Sequence, residues 1–293
     1  MNLKKAIVVL IAAGAVFILV KGLFFSQAKG PGKGGRSSEG AKAEHQVNSF
    51  SIDGRSSKGV KQWHIEGNTA EITGNGSEIH LNDLKVIAYG DDITVNLTSD
   101  RGVYRKDKSE VELIGNVDVK GDDGTTLRTE SARWSQLTKE ISTNDEVRIE
   151  REGMSAFGKG ASANSDEQKA SLMRDVIVAM KPHTTVTCDG PLEVSYGENR
   201  AVFHNNVVVV DKDGKMFSDK LTVNFDPDSK KLSEVVAEGR VKVKKGKSYT
   251  LSEKAIYRDS TKSAQLLGRP QIIIDPEEIG DLDEASKTAK RAI

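Results

Sequence analysis

Cysteine occurs once in 293 residues, at Cys188. That excludes an intramolecular disulfide framework and any zinc site built from paired cysteines. A charge excess of either sign is absent too, because 43 Lys and Arg balance 43 Asp and Glu. No positive surplus exists to neutralise phosphates, so the chain is not a nucleic-acid binder by composition. The five histidines, His45, His64, His80, His183 and His204, are scattered, with no His-x-x-x-His pair and no Gly-x-Ser-x-Gly elbow. A Gly-x-x-x-x-Gly-Lys-Ser/Thr phosphate loop is also missing, so this motif for binding ATP is not offered. Asp211-Lys212-Asp213-Gly214 opens like a calcium loop but lacks the later ligands, and is a turn. The sequence therefore reads as a non-enzyme with no catalytic residue, no metal and no cofactor. Aromatics are only 5% and prolines only 6, against 27 glycines, which favours a turn-rich β protein over a helical one.

Long apolar runs are missing except at the start. Ala6 to Val20 is uncharged, Lys21 interrupts, and Gly22 to Phe25 resumes. As a helix, residues 6–25 extend about 30 Å, enough to cross a bilayer with Lys21 snorkelling at one end. The competing reading is a cleaved signal peptide, with Ser26 and Ala28 as small residues at the cut. Both readings export the remainder of the chain. Residues 26–47, rich in Gly and Ser, form a flexible tether.

From Val47 onward apolar residues alternate with polar ones, as in Val111, Leu113, Val117 and Val119, which gives strands one greasy face and one wet face. A polar residue followed by an apolar one recurs within these strands: Asp83-Leu84, Asn116-Val117, Glu146-Val147, Asp175-Val176, Asn206-Val207, Arg240-Val241 and Arg269-Pro270. From Val117 to Val241 the intervals are 30, 29, 31 and 34 residues by subtraction. Regular spacing of this kind implies stacked β units, each burying its face against its neighbours. Asp122-Asp123-Gly124, Asp211-Lys212-Asp213-Gly214 and Lys244-Lys245-Gly246 supply the turns.

Gly59, Trp63, Ile65 and Ala70, then Leu81-Asn82-Asp83-Leu84, Leu113-Ile114-Gly115-Asn116-Val117 and Gly124-Thr125-Thr126-Leu127-Arg128-Thr129, resemble the LptC family of lipopolysaccharide export. Further on, Cys188-Asp189-Gly190-Pro191-Leu192, Ala201-Val202-Phe203, Lys215-Met216-Phe217-Ser218-Asp219-Lys220-Leu221, Ala237-Glu238-Gly239-Arg240-Val241 and Leu267-Gly268-Arg269-Pro270 are similar to the related LptA/OstA module. Arg240 stands where that pattern prefers Asn, and the chain is longer than a typical LptC.

The resemblance implies an all-β fold, an open twisted β-jellyroll forming an OstA/LptA-like trough of stacked antiparallel strands, with one N-terminal transmembrane helix. The corresponding divisions are an anchor at 1–25, the tether at 26–47, an LptC-like jellyroll at 48–181, an LptA/OstA-like continuation at 182–275 and a charged tail at 276–293. It also implies location at the inner membrane, single-pass, with the β domain in the periplasm. The expected partners are lipopolysaccharide, the LptB/LptF/LptG ABC transporter at the membrane-proximal edge and an LptA-like module at the far edge. Candidate trough-lining residues are Trp63, Ile65, Ile93, Val95, Val111, Leu113, Val117, Val119, Val147, Phe157, Val176, Val207, Val209, Phe217, Val223, Phe225, Val241 and Val243. Trp134 reads as core packing. The alternative is an anchored β scaffold that binds protein partners and carries no lipid.

Overall fold

The computed structural model describes residues 45–55, 59–73, 77–89, 94–135, 137–164 and 166–276. The expected membrane helix, most of the tether, nearly all of the charged tail and the lining candidate Ile93 lie outside these residues. Among the described residues no helix is long and apolar enough to cross a membrane. Two compact units are present, one ending at Leu172 and one running from Met173.

The first unit contains β1 (His45–Arg55), β2 (Lys61–Thr73), β3 (Glu78–Tyr89), β4 (Thr94–Arg105), β5 (Glu110–Gly121), β6 (Thr126–Ser135), β7 (Glu140–Arg151) and β8 (Met154–Asn164). Each pairs antiparallel with the next in the chain. Strand β9 (Lys169–Met180) spans the division between the units. The second unit continues with β10 (Thr184–Cys188), β11 (Leu192–Ser195), β12 (Arg200–Val210), β13 (Lys215–Phe225), β14 (Leu232–Lys245), β15 (Ser248–Arg258), β16 (Ser263–Leu267) and β17 (Gln271–Ile273). Its strands likewise pair antiparallel, with β16 and β17 both on β15. The expected all-β class holds, in the form of meanders rather than Greek keys.

What gives each meander an inside is a corner in the middle of its strands. Gly115 and Asn116 of β5 lie opposite the single residue Glu130 of β6, because Ile114 pairs with Ser131 and Val117 with Thr129. The same count of two against one places Asn144 and Asp145 of β7 against Gly160 of β8. In the second unit it places Asn205 and Asn206 of β12 against Asp219 of β13, and Gly239 and Arg240 of β14 against Glu253 of β15. An extra residue of this kind is a β-bulge, which bends the strand and raises its twist.

The polar member of the sequence repeat is the residue that makes the corner. Asp83, Asn116, Asp175, Asn206, Arg240 and Arg269 all adopt left-handed φ values between 47 and 52°. Asn and Asp tolerate this region because their short side chains bond locally. Glu146 does not adopt it, so that unit turns its corner without a left-handed residue at this position. The apolar member follows directly and is sealed: Val117 is 2% exposed, and Val147, Val176, Val207 and Val241 are each 1% exposed. Complete burial of such a side chain contributes about 1.5–3 kcal/mol.

In the first unit the core joins both arms of the bent strands. Leu84, Val86, Val95, Leu97, Val117 and Val119 come from one arm, while Ala132, Leu81, Leu113 and Ile141 pack in from the other. Each corner thus turns two arms toward a shared apolar interior.

Candidate functional site

The inward rows are the candidate site, and register assigns each residue to them or away from them. In the first unit Trp63 pairs with Ala88, Ile65 with Val86, Val111 with Tyr104 and Trp134, and Leu113 with Ala132. These four candidates are inward and half-buried. In the second unit Val209 pairs with Met216 and Val223 with Ala201 and Val235, again inward and half-buried. Phe225 follows at the strand end, and Val243 is inward but 36% exposed.

Several sequence candidates occupy a different place from the one expected. Val95, Val117, Val147, Val176, Val207 and Val241 are at most 2% exposed, and Val119 is 5% exposed. A side chain with no accessible surface offers none to a ligand, so these residues form a packed floor rather than a lining. Two others are on the wrong face. Phe157 lies between the buried Ala156 and Gly158 and pairs with the exposed Arg148. Phe217 lies between Met216 and the buried Ser218 and pairs with Val208 and Lys242. Strand alternation sends both rings outward.

Inward residues that are not among the lining candidates include Leu81, Ile141, Met216 and Val235. Their alternation is visible in the sequence, but only the register across the bulges ties them to the same face. Trp134 is 4% exposed between Val111 and Ile141, as core packing requires.

Outside each corner the chemistry is polar. Asn116 Nδ2 donates to Asp100 Oδ2 at 2.8 Å and Asn206 Nδ2 to Asp189 Oδ2 at 2.6 Å. The Arg240 guanidinium takes the same position against Asp219, and its hydrogen bonds hold that carboxyl below the usual aspartate value. Arg at position 240 therefore does the work of Asn at position 116: each ties a left-handed corner to a carboxylate on the preceding strand.

Reactive groups are few. Cys188 is buried, and burial pushes its thiol up, away from the reactive thiolate. The Tyr196 hydroxyl is pushed up for the same reason. Among the described residues no group of three or more His, Cys, Asp or Glu could hold a metal. The arrangement offers apolar surface between polar corners, and its chemistry is shape and burial.

A family model described as "Lipopolysaccharide-assembly, LptC-related" matches residues 8–180, more than half of the chain. The chain belongs to the LptC-related family. A second model, described as the LptA/(LptD N-terminal domain) LPS transport protein, matches residues 190–280. This LptC-related chain thus carries an LptA-like segment after its LptC-like one. No curated protein matches it. Among solved structures it is similar to LptH, the LptA homologous periplasmic component of the lipopolysaccharide transport device of Pseudomonas aeruginosa. The two are 15% identical over 42% of this chain and 95% of that one, with a TM-score of 0.35.

Proposed function

We propose that this chain is a periplasmic component of lipopolysaccharide transport, anchored in the inner membrane by residues 6–25, whose inward rows carry acyl chains. Lipid arrives from an LptB/LptF/LptG-type ABC transporter at the β1 edge and leaves to an LptA-like module at the β17 edge. ATP hydrolysis in the transporter gives the direction.

The observation that carries this reading is the state of the inward face at the two ends. On β1, Val47 and Ile52 are 50% and 52% exposed although they pair with Ala70 and Ile65 of the inward row. On β17, Ile272 is 68% exposed and continues the inward row through Thr250 to Val243. An apolar row that runs uncovered to an edge suits continuation into another module by strand addition. Half-buried Leu113, Val209 and Val223 supply the surface in between, worth about 25 cal/mol for each Å² that an acyl chain covers.

Site-specific photocrosslinking in cells tests the proposal. Probes belong at Leu113 and Val223, which face inward with accessible surface, and at Val208 and Phe217 as outward controls. Lipopolysaccharide adducts at the inward pair alone are expected. Adducts at all four positions, or at none in a folded protein, refute the trough and leave the protein-binding scaffold.

A further inference from the structure

The inward face of the first unit ends, at one set of turns, in a guanidinium. Register carries an apolar row across β5 to β8: Val119 pairs with Leu127, Leu127 with Ile149 and Ile149 with Ala156. Two residues nearer the turns lies the last inward row, Gly121, Thr125, Arg151 and Met154. The Gly121 N–H donates to the Thr125 carbonyl at 2.8 Å, Thr125 directly precedes the Thr126–Glu150 pair and so lies across from Arg151, and Arg151 pairs with Met154. Thr125 and Met154 are buried, whereas the Arg151 side chain keeps 19% of its surface. In these two rows Arg151 alone carries a charge. Strand alternation places it inward, since Val147 and Ile149 are sealed while Arg148 and Glu150 are exposed.

The protein leaves this guanidinium half satisfied. Its Nη2 lies 3.5 Å from Asp123 Oδ2, long for a charge-assisted bond, which runs about 2.7–2.9 Å. Asp123 is already engaged: Oδ1 accepts from the Thr125 backbone N–H at 2.9 Å and Oδ2 from the Thr125 hydroxyl at 3.0 Å. Arg151 Nη1 is buried and has no acceptor among the described residues. Leaving a buried donor of a charged group unmet is costly, and the planar fork suits a carboxylate or phosphate. Beside it Leu127 is half-buried and packs on the core, so accessible apolar surface adjoins the cation. The other charged groups of these strand ends pair on the outward face, Lys120 with Asp118 and Arg128 with Asp118 and Glu150.

We propose that Arg151 binds the anionic group, a carboxylate or phosphate, of an amphiphile whose acyl chain lies over Leu127 and along the inward row. The site rests on the lipid reading above and gives it a polar end. Apolar rows hold a chain at any position along them, and the guanidinium fixes where its charged head stops. The anion takes the Nη1 donor, while Asp123 keeps its two bonds from Thr125.

Energy transfer from tryptophan to cis-parinaric acid tests the site in the full-length protein in a nonionic detergent. Trp63 and Trp134 are the chain's two tryptophans and both lie in the first unit, so transfer reads binding there. The methyl ester of the same acid keeps the chain and removes the charge. The parent should bind the acid more tightly than the ester, and Arg151→Gln should weaken acid binding roughly tenfold while leaving the ester unchanged. Detergent takes up each probe equally in parent and variant, so the comparison between them isolates the charge. Equal weakening of both probes means that Arg151 holds the turn rather than a ligand, and overturns the proposal. An acid affinity that Arg151→Gln leaves unchanged also overturns it, while the lipid reading stands. Displacement of the acid by millimolar inorganic phosphate assigns the site to a free anion and overturns it as well. If the parent binds neither probe, the apolar face takes no chain, and the lipid reading falls together with the site.

Discussion

Gly115→Ala is the sharpest test of the corner. Gly115 sits at φ 81°, in the left-handed region, and a Cβ there would come within 2.5 Å of Asp100 Oδ2. Holding alanine in that conformation costs about 1 kcal/mol or more. The added methyl also drives Asp100 aside, which breaks the 2.8 Å bond from Asn116 and removes about 1 kcal/mol more. The total is about 2–3 kcal/mol. Both tryptophans, Trp63 and Trp134, lie in the first unit, so their fluorescence during urea unfolding follows that unit alone. A loss of this size lowers the urea midpoint by about 1–2 M with an unchanged slope. Asn116→Gly is the control. It keeps the left-handed backbone free of strain and loses only the Asp100 bond, so it should cost about 1 kcal/mol or less. If Gly115→Ala melts within about 0.3 M of the parent, backbone conformation does not hold the corner.

Arg105 donates to Glu112 at 2.7 Å and holds that carboxyl below its ordinary value of 4.5. A lowered value in the folded state means the stabilisation is present above the unfolded value and is lost as pH falls through the folded one. Glu112→Gln should therefore cost roughly 1 kcal/mol at neutral pH, and progressively less as the pH falls below 4.5 and the carboxyl protonates. Equal costs at neutral and acidic pH would show that the charge is irrelevant. Cys188, buried and with its thiol pushed up, should not react with a disulfide reagent in the folded protein at mildly alkaline pH, yet should react fully in guanidinium. Rapid reaction without denaturant would contradict the burial of β10. Val117→Asp should abolish folding of the first unit, because it places a carboxylate where the side chain is 2% exposed. A folded Val117→Asp variant, seen by circular dichroism, would mean that the floor is not packed.

Much of the fold was legible in the sequence because its repeat is a local event. Most corners pair a residue in left-handed φ with an apolar residue directly behind it, and both act within two positions of the chain. Asn116-Val117 and Asn206-Val207 therefore recur at a spacing that survives without any knowledge of contacts. The exchange of Asn for Arg at position 240 was visible, but its reason was not, since the Asp219 partner lies 21 residues away.

The face of each aromatic was not legible. Phe157 and Phe217 are apolar, and by composition they belong inside. At Phe157 the interior is already filled: Val147 and Ile149 face Gly158 and Ala156, so small residues point inward and the intervening ring points out. Alternation gives the face within one arm of a strand, but a bulge inserts a residue and resets the count for the next arm. The sequence by itself determined the strands, the positions of the corners and the family. Tertiary structure decided which apolar residues are sealed as floor and which keep accessible surface. That depends on how two arms and their neighbours fill a common volume, which no single stretch of chain encodes.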